Sequence, residues 1–225
     1  MIFFRIAGMF LIVMPVTFLT AFFSLRLTFD YPHILREPTD YILRRFAEGG
    51  SRLIVFWYIF TISAVLIIPM ALFFQLVFVE QHRYLATSAA VVGAIGGLVQ
   101  TMGSLRWVFL VPSLANQYHS DRVTPATREA VTVAFLAFHR YAGTALGEHL
   151  GSLLTGVWTI LISSMMFSTP LFGPSLAVMG IISAVGILTG LFEPAGWRLA
   201  GGISTLGYIG WAFWLLIAGV LLIQV

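Results

Sequence analysis

Charged side chains inside long apolar runs are where this sequence could do chemistry. Holding a charge in hydrocarbon is costly, so such residues bind ligands, relay protons or clamp helices together. Three stand out: Arg106 in the run 86–111, and Glu148 with His149 in the run 142–167. Thr144, Glu148, Ser152, Thr155 and Thr159 recur every three or four residues, which places them on one helix face. Gly143, Gly147 and Gly151 form an adjacent small-residue stripe, and Ala89, Gly93 and Gly97 repeat that spacing on the preceding run. If the earlier run leaves the membrane at Pro112 and the later one begins at Ala142, Arg106 and Glu148 each lie roughly 9 Å below the same surface. Consecutive helices run antiparallel and pack as neighbours. The expectation is therefore an Arg106–Glu148 ion pair, direct or through one water, in a polar seam that also holds His149, Trp107, Ser152 and Thr155. Three readings of this seam stand side by side. It could be a clamp that fixes helix register, a cavity that binds a small molecule or lipid, or a catalytic or proton-relay pair of Glu148 and His149.

Other chemistry finds less support. His149 follows Glu148 directly and so points about 100° away around a regular helix. His139 lies ten positions nearer the surface, and no two histidines face each other at matched depth for a haem. His119, Asp121 and His139 make only a weak metal set. There is no cysteine, no His-Glu-x-x-His and no phosphate-binding loop. The sequence thus indicates no metal and no cofactor. A net charge of +3, scattered along the chain, excludes a nucleic-acid footprint.

The elements that must position these residues follow from composition. Of 225 residues, 59% are hydrophobic and 9% charged, against roughly 25% charged in soluble domains. So little charge cannot cover a water-facing surface, and most of the surface must face lipid. Apolar runs at 3–25, 53–79, 86–111, 142–167, 171–192 and 204–225 are each long enough to cross a bilayer. The first is too long for a signal-peptide core. The predicted fold is all-α: a single-domain polytopic membrane bundle over 1–225, with six transmembrane helices and an interfacial amphipathic helix between the first two.

Two connections are more than turns. In the first, Pro38 and Thr39 start a short helix with Tyr41, Ile42 and Phe46 on one face, ended by Gly49-Gly50. It suits a helix lying on the membrane surface, or else a lid over a cavity. In the third, Thr124-Pro125 is a helix start with no breaker before Pro170. The fourth helix is expected to begin there, or to break near Ala142-Gly143. All twelve basic residues are Arg. Arg26, Arg36, Arg44, Arg45, Arg52, Arg122, Arg128 and Arg198 fall on one side, against Arg5 and Arg83 on the other, which places both termini outside by the positive-inside rule.

Arg106-Trp-Val-Phe-Leu-Val-Pro-Ser-Leu-Ala115, Tyr141-Ala-Gly-Thr-Ala-Leu-Gly-Glu-His-Leu-Gly151, Trp158-Thr159 and the opening Arg5-Ile-Ala-Gly8 resemble a bacterial family of six-span membrane proteins, the domain-of-unknown-function family DUF4386. The resemblance covers nearly the whole chain. It implies a six-helix fold in a bacterial inner membrane and draws attention to Arg106, Trp107, Pro112, Gly147, Glu148 and His149, but it carries no activity. The expected partners are membrane lipid and a small-molecule ligand. The alternative is a structural or accessory subunit of a larger membrane complex or homo-oligomer, with no site of its own.

Overall fold

The computed structural model describes residues 2–225, and among them every regular element is helical. Helix α1 spans Ile2–Phe29 and contains Pro15. A 3₁₀ turn, His33–Arg36, follows. The helical stretch Thr39–Tyr118 is 80 residues long, but Gly50 (φ 55°) and His82 (φ −134°, ψ 48°) break it. It therefore comprises α2 (39–49), α3 (51–81) and α4 (83–118). Gly50 can take a positive φ because it has no Cβ to clash, which is how the expected surface helix ends where Gly49-Gly50 predicts. Helix α5 runs Pro125–Met166, α6 Gly173–Thr189 and α7 Ala200–Ile223.

Helices α3 and α4 fold back on each other at His82. Gln75 Nε2 donates to Thr87 Oγ1 at 3.3 Å. Further from the turn, a Cβ on Gly97 would lie 3.0 Å from the Ala64 carbonyl oxygen. At the far end Trp57 stacks on Trp107, with ring centroids 4.7 Å apart and planes 8° from parallel.

Five helical stretches are long and apolar enough to cross a membrane: Ile2–Phe29, Thr39–Tyr118, Pro125–Met166, Gly173–Phe192 and Ala200–Ile223. Their outward faces carry Val16, Phe23, Leu72, Ile95, Phe109, Ile182, Leu206 and Phe213, all exposed. Apolar side chains fill the interior in two clusters. One gathers Phe74, Phe78, Trp158, Trp211 and Trp214. The other gathers Phe29, Ile34, Phe46, Trp57, Trp107 and Phe135 at the end where the first connection lies.

One boundary differs from the sequence expectation and another agrees with it. Helix α4 does not end at Pro112 but continues to Tyr118. Helix α5 starts at Pro125, as Thr124-Pro125 predicts, and the Thr124 side chain caps it by accepting from Thr127 N at 3.1 Å. It runs on without a break at Ala142-Gly143, but it changes character: His139–Leu150 is π-helical. A π-helix bonds i to i+5 and is normally confined to a single turn. Twelve residues is a long stretch of it, and it lies on the segment that carries Gly143, Gly147 and Glu148.

Candidate functional site

Glycines set the approach of α4 and α5. A Cβ on Gly103 would lie 2.6 Å from Gly147 Cα, so the two backbones touch there. One turn deeper, Gln100 lies over Gly151 and donates to Thr155 Oγ1 at 2.6 Å. Deeper still, Gly96 meets Leu154 and Gly93 meets Trp158. The expected small-residue seam is therefore present, with Gly93 on it as expected and Gly96 and Gly103 added. Gly97 turns instead toward α3.

This register decides where Arg106 goes. One turn above Gly103, Arg106 stands opposite Gly143, and a Cβ there would fall on its guanidinium. Glu148 sits beside Gly147, about a turn deeper. The expected direct Arg106–Glu148 pair is not formed: among the described residues the ion pairs are Arg36–Glu148, Arg36–Glu193 and Arg45–Glu48. The physical reason is packing register: Gly103 meets Gly147 and Arg106 meets Gly143, so depths counted from Pro112 and from Ala142 equated residues that lie about a turn apart.

Glu148 finds its cation in the first connection. Arg36 Nη2 donates to Glu148 Oε2 at 2.7 Å. The same guanidinium grips Glu193, from the connection between α6 and α7, with Nε at 2.7 Å and Nη2 at 2.9 Å. All three side chains are partly exposed. Charge-assisted forked pairs of this kind fix orientation as well as position. Burial alone would lower the Arg36 pKa, but the two carboxylates outweigh it and raise it. Glu193 is held below its ordinary value, first by its hydrogen bonds from Arg36. Ile34 and Leu35 are buried beside Arg36, so the connection closes over this end of the bundle as a lid.

Beneath the lid several polar atoms have no partner. Arg106 is 9% exposed; one of its Nη atoms donates to the Gly103 carbonyl of its own helix, and its Nε is buried with no acceptor. Its guanidinium also lies over the Trp107 ring, 5.1 Å from the centroid, a geometry that offsets part of the cost of the buried charge. Glu148 Oε1 and His139 Nδ1 are likewise buried and unpartnered, while His139 Nε2 meets the Leu35 carbonyl at 2.9 Å. Ser152 is buried and lies 3.2 Å from the Tyr208 hydroxyl. Tyr31, whose hydroxyl pKa is raised by burial and then by Glu148, completes the group.

Of the residues singled out in the sequence, Arg106, Trp107, Glu148, Ser152 and Thr155 converge here. His149 does not: it is exposed on the outer side of α5. Tyr31, Arg36, Gln100, His139, Glu193 and Tyr208 were not foreseen. The one available signal was that Glu193 and Arg36 fall on the same side of the membrane as Glu148. Five Arg in the first connection left that signal without a unique partner.

The chain matches the family described as Domain of unknown function (DUF4386) over residues 6–219. It belongs to that family. No curated protein and no solved structure matches it. Within the DUF4386 match lie α1 from Ile6, every element of the seam, and the Arg36 and Glu193 connections. Membership agrees with the sequence resemblance and leaves the chemistry to be argued from the cluster itself.

Proposed function

We propose that this DUF4386 protein is an integral membrane protein of the bacterial inner membrane, crossing it six times with α1, α3, α4, α5, α6 and α7. Its function is to hold a small molecule or a lipid headgroup in the polar cluster beneath the first connection. Six crossings, rather than one per continuous helical stretch, are supported by the turn at His82, which makes α3 and α4 an antiparallel pair.

One observation carries the binding reading. Arg106 is a buried full charge with no acid in ion-pair contact among the described residues. A buried charge without a partner is strongly destabilising, and a structural clamp would have paired it. The cluster borders the part-exposed Arg36, Glu148 and Glu193, the side from which an occupant would enter. A Glu148–His149 relay draws no support, because His149 faces outward.

The test is mass spectrometry of material co-purifying with the protein in mild detergent, compared with Arg106→Gln. The expected result is a stoichiometric species lost in the variant. An empty wild-type protein that instead co-purifies with other chains would favour the accessory-subunit alternative.

A further inference from the structure

We infer that the occupant is a zwitterion, with an ammonium group and an anionic group a few bonds apart, as in an aminoalkyl phosphate or an amino acid; this rests on the binding reading above. The inference comes from which atoms lack partners. Arg106 offers a buried N–H on a full cation, and Glu148 offers a buried oxygen on a full anion. They belong to facing helices but stand about a turn out of register, so they do not satisfy each other. A buried donor and a buried acceptor of opposite charge, held apart by touching glycine backbones, match a ligand that carries both complementary charges.

Charge balance narrows the class further. The cluster holds two guanidinium groups, Arg36 and Arg106, and two carboxylates, Glu148 and Glu193. A simple anion would satisfy Arg106 but leave Glu148 Oε1 orphaned, with an uncompensated negative charge added. A simple cation would do the reverse. A zwitterion satisfies both and keeps the site neutral, which matters where desolvation makes every unpaired charge costly. Neutral groups are at hand for both ends: the Ser152–Tyr208 hydroxyl pair can donate to the anionic end, and His139 Nδ1, with Nε2 donating to the Leu35 carbonyl, can accept from the ammonium. Arg36, with Glu148 and Glu193 in its grip, forms the rim. The same chemistry could come from a membrane lipid headgroup or from a free metabolite, and only experiment separates the two.

The experiment uses the full chain in detergent, with thermal stability and tryptophan fluorescence as readouts, since Trp107 lies against Arg106. Glycerophosphoethanolamine and glycine serve as net-neutral free zwitterions, inorganic phosphate as the anion and ethanolamine as the cation. Nanodiscs of phosphatidylethanolamine and of phosphatidylglycerol form the lipid arm. The expected result is a stabilising shift with a zwitterion, and affinity for phosphate or ethanolamine weaker by at least about tenfold, from the loss of a charged hydrogen bond. Arg106→Gln and Glu148→Gln should each abolish that shift. Stabilisation in phosphatidylethanolamine nanodiscs alone assigns the lipid source; stabilisation by the free compounds assigns the metabolite. If phosphate binds as well as any zwitterion, and still does so in Glu148→Gln, the binding reading survives and the zwitterion is overturned. If no probe shifts the wild-type protein and nothing co-purifies, both fall. The wild-type panel decides the ligand class even if a variant fails to fold.

Discussion

Arg36 Nη2 stands 2.7 Å from Glu148 Oε2, tying the lid to the π-helical segment of α5. The same guanidinium holds Glu193 beside α7, so one side chain joins three parts of the chain. The pair that matters to Glu148 is therefore this one and not Arg106.

A double-mutant cycle should show it. Arg36→Ala and Glu148→Ala should be coupled, with the double variant less destabilised than the sum of the singles. Because the groups are part-exposed, the coupling should be about 1 kcal/mol or less. Arg106→Ala and Glu148→Ala, measured without added ligand, should come closer to additive. Thermal melts in detergent provide the measurement; stronger coupling for Arg106 than for Arg36 would contradict the structure.

The lid should loosen in acid. Glu193 has its pKa below the ordinary 4.5, so it contributes stability that is fully present above that value and fades as pH falls through the lowered one. Hydrogen exchange at residues 30–37 should therefore accelerate as pH drops below about 4.5, after correction for the intrinsic rate. In Glu193→Gln the Glu193 contribution to that acceleration should vanish, leaving fast exchange even at neutral pH.

Gly143 should be tied to Arg106 by space. In a helix interior Gly→Ala ordinarily stabilises by roughly 0.5–1 kcal/mol. At Gly143 the added Cβ would fall on the Arg106 guanidinium, so Gly143→Ala should lower the melting temperature. In an Arg106→Ala background the same change should become neutral or stabilising. A destabilisation of equal size in both backgrounds would show that the guanidinium does not rest there.

Orientation is open to a direct test. Counted outside the spans as in the sequence, eight Arg lie on the lid side and two, Arg5 and Arg83, on the other, so the lid should face the cytoplasm and both chain ends the exterior. A reporter fused after Val225 should be active only outside the cytoplasm; activity inside would reverse the assignment.

The sequence by itself determined the all-helical fold and its long apolar helices, because the signals for them are local. The scarcity of charge, the apolar runs, the Thr124-Pro125 start of α5 and the Gly49-Gly50 end of α2 all act within a few residues of themselves, and each is found where it was read. Arg106 was legible as a buried charge for the same reason, and Glu148 as a part-buried one. Only the tertiary structure decided their partners. Partner choice depends on helix register, and register depended on Gly103 meeting Gly147 and on Gly143 meeting Arg106. The π-helical stretch turned residues 139–150 away from the regular 100° step, so faces counted from the sequence no longer held there. Arg36 was one Arg among five in its connection until the buried Ile34 and Leu35 fixed the lid and brought that one guanidinium to Glu148. A charge's burial is a property of its own segment, whereas its partner is a property of how the segments pack.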